Sequence, residues 1–283
     1  MISVKQIGIV FIAVSIGLMM TFAKAEGPSA SAMKPAKNSF FEQVGGDLGT
    51  KQFHFGWKKS KNGQLPSISE EGFQDIFKKH EAIFLGDTTK KELFLTFDNG
   101  FENGYTAKVL DVLKEKRVPA CFFVTGGYVK DAPDLLRRMV QEGHLVGNHS
   151  WGHPDMSRLP PDRIKTELDK LKHQVQAVTG QTQMTYMRPP SGIFSDRLLG
   201  VAGELGYTTV FWSIAYKNDW NPKRIMGWKF AFDQVISQLH PGAVIMLHTV
   251  SRDNCEAIGA IIDEARRQGY EFKSLDQLAV KNY

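Results

Sequence analysis

The sequence predicts one α/β domain of parallel strands with helices outside, preceded by a short N-terminal extension. Three observations predict it. From Glu92 onward, short apolar runs alternate with helix-length amphipathic segments, and repeated β–α alternation makes strands parallel with helices packed on the sheet. The polar clusters that interrupt this pattern fall at the C-terminal ends of the apolar runs, the end at which barrels of β–α units gather their chemistry. The chain has 283 residues, 42% hydrophobic and 23% charged, an ordinary globular composition that suffices for one sizeable domain or two small ones.

The elements follow in order. Residues 1–25 read as a secretory signal. Lys5 gives a basic start, Ile7 to Met20 is apolar apart from Ser15 and two glycines, and Ala23-Lys24-Ala25 is a small-x-small cleavage pattern. The apolar run is shorter than the roughly 20 residues that span a bilayer, so no stable membrane span is expected once the signal is cut after Ala25; an uncleaved anchor is the alternative. Residues 26–39, with repeated Ser, Ala, Pro and Lys, read as a linker. Residues 40–90 read as an extension packed on the main domain, with a turn at Lys61-Asn62-Gly63 and a short helix near Glu70–His80. The main domain then occupies 91–283.

Within it, strands are expected at Leu93–Phe97, Ala120–Val124, Leu145–Gly147, Thr185–Met187, Thr208–Trp212 and Ala243–Leu247, with a last one at Phe272. Helices are expected at Tyr105–Lys116, Asp131–Glu142, Asp162–Val178, Ser195–Leu205, Ala231–Leu239 and Asn254–Gln268. Gly180 suits a helix C-cap, Ser195 an N-cap, and Gly206 a stop. Cys121 lies inside the apolar run Ala120–Val124, and it and Cys255 read as two unpaired small hydrophobes. The formal charge of +5 falls to +3 when Lys5 and Lys24 leave with the signal, and no Lys/Arg run forms a stripe. Nucleic acid is therefore not an expected partner.

Four clusters carry candidate chemistry. In His149-Ser150-Trp151-Gly152-His153 two histidines stand four residues apart, a spacing that on a helical turn points both imidazoles to one side and suits a divalent metal such as zinc. The others are Thr96-Phe97-Asp98-Asn99-Gly100, Arg188-Pro189-Pro190-Ser191-Gly192 and Met246-Leu247-His248. Brought together, His149 and His153 hold the metal and Asp98 takes a proton from a water that the metal acidifies. A backbone N–H stabilises the oxyanion, and His248 protonates the leaving group. Arg188 orients Asp98 and keeps it ionised, while Asp219, in Asn218-Asp219-Trp220, holds Arg188 or His248. The reaction class is metal-assisted hydrolysis of an amide or ester. Each cluster also has a plain structural reading: Asp98-Asn99-Gly100 as a turn, Arg188-Pro189-Pro190 as a rigid loop, His248 as a hydrogen-bonded core histidine. His54, His80, His144, His173 and His240 lack matching context and read as structural. Trp151, Trp212, Trp220 and Trp228 suit a sugar groove or the core. A glycosidase needs two carboxyl groups flanking the bond, and Asp98 and Asp219 have better uses.

The ordered set Thr-Phe-Asp-Asn-Gly, His-Ser-Trp-Gly-His, Arg-Pro-Pro-Ser-Gly, Asp-Trp and Leu-His, over roughly residues 90–280, resembles the polysaccharide deacetylases, the fourth carbohydrate esterase family. The resemblance implies a distorted (β/α)7 barrel that removes N-acetyl or O-acetyl groups from polysaccharides with a divalent metal, zinc by expectation. It implies Asp98 as base, His149 and His153 as metal ligands, Arg188 as the residue orienting the base, Asp219 as an acidic partner and His248 as general acid. Leu247 is then expected near the acetyl pocket, the Ser191 N–H in the oxyanion site and Trp220 against substrate. One position departs: the family's second aspartate, a metal ligand, is here Asn99, a neutral and weaker one. Phe55-Gly56-Trp57-Lys58-Lys59, the run Phe101–Tyr105 and the run His248–Asn254 resemble a subgroup, the muramic acid deacetylases of spore-forming bacteria. That likeness implies peptide-free N-acetylmuramic acid as substrate, on the way to muramic δ-lactam. It also implies peptidoglycan glycan strands as partner and a place in the cell wall or spore cortex. Two other functions stay open: a non-catalytic wall-glycan-binding protein, suggested by Asn99, and an esterase for O-acetyl polysaccharides.

Overall fold

Strands that carry unbroken apolar runs need burial on both faces, and in this protein they form the middle of one parallel sheet. The computed structural model describes residues 49–61 and 64–278; the expected signal, the linker and the first residues of the extension lie outside the described residues. The strands are β1 Phe53–His54, β2 Glu92–Asn99, β3 Ala120–Val124, β4 Leu145–Asn148, β5 Tyr186–Met187, β6 Ile193–Phe194, β7 Thr208–Thr209, β8 Ala243–His248 and β9 Glu271–Phe272. The helices are α1 Gln74–Lys79, α2 Thr106–Lys116, α3 Gly126–Asp131, α4 Pro133–Gln141, α5 Pro161–Thr179, α6 Asp196–Glu204, α7 Trp228–Ile236 and α8 Arg252–Arg267. Seven strands pair in the order β7-β5-β4-β3-β2-β8, with β9 joining the start of β2, and every pairing is parallel. This is the expected distorted (β/α)7 architecture.

The extension does more than pack on the domain. Its last residues bridge the two free edges of the sheet. Ile83 N–H donates to Thr209 O at 2.9 Å and Phe211 N–H donates to Ile83 O at 2.6 Å, while Gly86 N–H donates to Gly242 O at 2.7 Å. Ile83 thereby pairs beside β7 and Leu85 beside β8, and the sheet curls into a barrel. Close approach needs glycine on both sides: a Cβ on Gly242, at φ 75°, would lie 2.8 Å from Gly86 O, and one on Gly86 would lie 2.8 Å from the Phe94 ring. Earlier in the extension β1 pairs antiparallel with β6, and Lys61 and Gln64 form an antiparallel bridge; residues 62 and 63 of the expected turn lie outside the described residues.

Several expected elements differ: the helix expected near Glu70–His80 is a 3-10 turn at Ser69–Glu71 followed by α1, and the one expected over Ala231–Leu239 runs from Trp228 to Ile236. The helix expected over Asp131–Glu142 is two helices broken at Ala132, whose φ of −135° and ψ of 51° are not helical. Pro133 disfavours the helical region for the residue before it and then starts α4 from its first position. The strand expected over Thr208–Trp212 ends at Thr209, because Val210 takes its next partner from the extension. The caps hold: the Ser195 side chain accepts from Leu198 N–H, and Gly180 closes α5 at φ 78°. Cys121 and Cys255 are buried and unpaired.

An aromatic cluster locks extension to barrel. Phe77 of α1 is fully buried, with ring centroids 4.8 Å from Phe211, 5.2 Å from Phe73 and 5.5 Å from Phe194. At the end of α1, Lys79 and His80 both contact the Asp196 carboxylate, at 2.9 and 2.7 Å. Truncating Phe77 to alanine removes the ring that joins these layers. We expect Phe77→Ala to cost about 3–5 kcal/mol, read as a lowered midpoint in chemical denaturation; a shift under about 1 kcal/mol would place the cluster outside the cooperative core.

Candidate active site

Asp98, His149, Arg188 and His248 lie at the C-terminal ends of β2, β4, β5 and β8, as expected. Their convergence rests on one buried ion pair. Arg188 is wholly buried. Its Nη1 donates to Asp98 Oδ1 at 2.6 Å, its Nε to Val210 O at 2.9 Å and its Nη2 to Phe211 O at 3.1 Å, and the guanidinium lies 4.2 Å from the Phe123 ring centroid. Burial by itself pushes the Asp98 carboxyl up, but the Arg188 charge and hydrogen bond, with nearby imidazoles, outweigh it and hold Asp98 below its ordinary 3.8. Asp98 is thus a carboxylate at neutral pH, and its share of stability is present above pH 3.8 and lost as pH falls below that.

The second pair faces it. The His248 ring Nδ1 lies 3.0 Å from Asp219 Oδ1, and the His248 backbone N–H donates to Asp219 Oδ2 at 3.1 Å. Asn254 Nδ2 donates both to Asp219 Oδ2, at 3.1 Å, and to His248 O, at 3.0 Å. With Nδ1 committed to the carboxylate, Nε2 is left for the cavity. Burial alone would lower His248, yet the Asp219 carboxylate outweighs it and raises the imidazole above 6.5. Of the two partners anticipated for Asp219, it takes His248; Arg188 spends its donors elsewhere.

His149 and His153 meet, with ring centroids 4.9 Å apart, but not on a helix. Residues 149–153 form a loop in which Ser150 and His153 have φ of 64° and 55°. The loop is set by Asn148 Oδ1, which accepts from Ser150 N–H, and by Ser150 Oγ, which accepts from His153 N–H. His149 Nδ1 lies 2.8 Å from Arg188 O, which leaves Nε2 to face Asp98 Oδ2 at 3.7 Å. Burial pushes His149 down to about 4 and lowers His153 as well, so both are neutral nitrogen donors at neutral pH. Asn99 Nδ2 donates to Thr249 Oγ1 at 2.7 Å, while its Oδ1 is buried without a hydrogen-bond partner. Two neutral imidazoles suit a divalent cation, but Asn99 is not among the residues that line their cavity, and among the described residues no three His, Cys, Asp or Glu side chains cluster as a metal site.

Comparison with known proteins shows the family. Residues 85–210 match the polysaccharide deacetylase family. The chain is 49% identical over 225 residues to the peptidoglycan-N-acetylmuramic acid deacetylase PdaA of Bacillus subtilis (strain 168), covering 80% of this chain and 85% of that one. The chain belongs to the polysaccharide deacetylase family. The solved structure of Bacillus subtilis PdaA, a family 4 carbohydrate esterase, superposes with a TM-score of 0.78 at 48% identity over 81% of this chain and 97% of that one. A family 4 pseudoenzyme from Bacillus anthracis is 30% identical, with a TM-score of 0.65 over 70% of this chain and 68% of its own. The reaction class of this polysaccharide deacetylase is hydrolysis of a carbon–nitrogen bond.

A cavity of about 900 Å³ holds the site, lined by Asp98, His149, His153, Ser191 and His248 among others. Ser191 sits at φ 56° in the turn Pro190–Gly192, and Phe55 of the extension donates its N–H to Gly192 O at 2.9 Å. Trp220, 56% exposed, Trp212, Trp151 and Phe101 form apolar walls. Trp228 is exposed and does not line the cavity. Leu247, expected at the acetyl pocket, does not line it either; Met246 does. Side chains alternate along a strand, so Met246 and His248 share the inner face of β8 while Leu247, fully buried, faces away. Sequence reasoning also left Asn254 and Thr249 without a role. Strand parity was the signal available for Met246; the contacts of Asn254 and Thr249 cross the chain, and no local pattern marks them.

The His248–Asp219 pair makes a pH prediction for this deacetylase. A proton-donating His248 is populated below its raised pKa and lost as pH rises through it, so activity should persist above pH 6.5. Asp219→Asn removes the carboxylate and leaves burial to act alone. We expect the alkaline limb of the kcat profile to move to lower pH in Asp219→Asn; an unmoved limb would remove His248 as the titrating acid.

Proposed function

We propose that this protein is an exported peptidoglycan N-deacetylase that removes the acetyl group from N-acetylmuramic acid residues, a step toward muramic δ-lactam in spore cortex. The observation that carries the reading is a base and an acid held in opposite protonation states on one cavity. Asp98 is kept ionised by Arg188, and His248 is kept protonatable by Asp219. Groups whose environments push them apart in this way are suited to acid and base roles. The likeness to PdaA over most of both chains supports the muramyl substrate, and residues 1–25, which have the pattern of a secretory signal, support export. Among the described residues no helix is long and apolar enough to cross a membrane.

In the proposed reaction a water oxygen attacks the acetyl carbonyl carbon and its proton passes to Asp98. The Ser191 N–H supports the developing oxyanion. The carbon–nitrogen bond then breaks, and the departing amine takes a proton from His248 Nε2, so that acetate and a free amino sugar are released. A carboxylate held below 3.8 is a weak base. His149 and His153, with Asn99 as a neutral oxygen donor, would hold a divalent cation, which when bound would supply Lewis-acid polarisation and a more acidic water. Zinc suits those nitrogen donors, and the amide in place of a carboxylate weakens its hold.

A specific observation favours a second reading. Asn99 and the pseudoenzyme relative suit a glycan-binding protein that does not turn over. Against it stand the two supported catalytic groups, which binding alone does not require. The same apparatus would serve an O-acetyl esterase, and acetylated xylan separates that case. The test of the main reading is acetate release by Asp98→Asn, which keeps the side chain's shape. Loss of about 10²–10⁴-fold is expected; full release would sink the proposal.

A further inference from the structure

Lys130 is the cavity's unbalanced charge. Asp98 is paired with Arg188 and His248 with Asp219. Lys130 also lines the cavity, yet it pairs with no carboxylate among the described residues. It lies on α3, one turn beyond Gly126 and Gly127, which line the same cavity; that spacing puts all three toward one side of the helix. The two glycines leave the wall open where larger side chains would fill it.

The position of Lys130 is fixed by its surroundings. Its Nζ lies 5.0 Å from the ring centroid of Trp151, and Lys170 Nζ approaches the same ring at 4.4 Å. An indole face attracts ammonium groups, and two of them on one ring concentrate positive charge at this wall. Trp151 cannot easily move. Its carbonyl accepts from Gly126 N–H at 2.9 Å, and a Cβ at position 126 would lie 2.4 Å from its ring. The wall thus offers a cation on a braced support with no carboxylate paired to it among the described residues.

We propose that Lys130 is a specificity-determining residue that binds the lactyl carboxylate of the muramyl substrate. The inference rests on the muramyl reading above. N-acetylmuramic acid carries its lactyl ether on the ring carbon next to the one bearing the acetamido group. When that acetamido carbonyl sits between Asp98 and His248, the carboxylate falls inside the same cavity and needs a cation there. N-acetylglucosamine has no such charge and gains nothing from Lys130.

The test uses the mature protein and two glycans: peptide-stripped peptidoglycan, and the same material with its lactyl carboxylates converted to neutral methyl amides. Lys130 is exposed, so substitution leaves the fold intact. Lys130→Met should lower kcat/KM on the carboxylate glycan by about tenfold or more, chiefly through KM, and leave the amidated glycan unchanged. Lys130→Arg should retain most of the wild-type preference. Equal effects on both glycans, or no effect on either, would overturn the proposal while leaving the deacetylase intact. A wild-type enzyme that favours neutral chitin oligomers over both muramyl glycans would instead overturn the muramyl reading on which it rests.

Discussion

The buried pair of Arg188 and Asp98 is the constraint on which site and barrel both depend. A guanidinium without water needs a partner at each nitrogen. Arg188 meets that need with one carboxylate and two main-chain carbonyls, Val210 O and Phe211 O. Those carbonyls belong to the segment that the extension grips, since Ile83 N–H donates to Thr209 O and Phe211 N–H to Ile83 O. The backbone that closes the barrel is therefore the backbone that holds the arginine, and the arginine in turn sets the charge of the candidate base. Removing one partner of such a buried pair typically costs about 3–5 kcal/mol, because the other charge is left uncompensated.

The extension enters function by the same route. Phe55 holds the Pro190–Gly192 turn that carries Ser191, and Phe77 packs on Phe211. Gln52 adds contacts to Asp155 and Ser157, on the stretch that follows His153. One of the four candidate clusters thus touches a residue that precedes β2, and the stretch following a second is held by another. On the other side of the cavity, α8 begins at Arg252 and its Ser251 cap accepts from Asn254 N–H. That first turn is what brings Asn254 onto Asp219 and His248.

Much of this was legible in the sequence, for physical reasons. Ala120–Val124 is apolar without interruption and lies in the sheet interior at its expected bounds. Asp98, His149, Arg188 and His248 could be grouped because each directly follows or ends an apolar run. What stayed hidden depends on partners far along the chain. The His149–His153 spacing suggested a helical turn, yet side-chain bonds from Asn148 and Ser150 bend that stretch into a loop that brings the imidazoles together another way. Leu247 is expected at the acetyl pocket from the family resemblance, but strand parity puts Met246 on the face that His248 shares. The role of Ile83–Gly86 as a bridge between sheet edges was invisible, since two-sided pairing leaves no periodic mark in so short a segment.

The central claim is that this constellation hydrolyses the acetamide of muramyl glycans with help from a divalent cation. The most direct measurement is acetate release by the wild-type protein from peptide-stripped peptidoglycan, before and after chelation. The account predicts release that falls on chelation and returns with added zinc. No release from that glycan under any metal condition would contradict it.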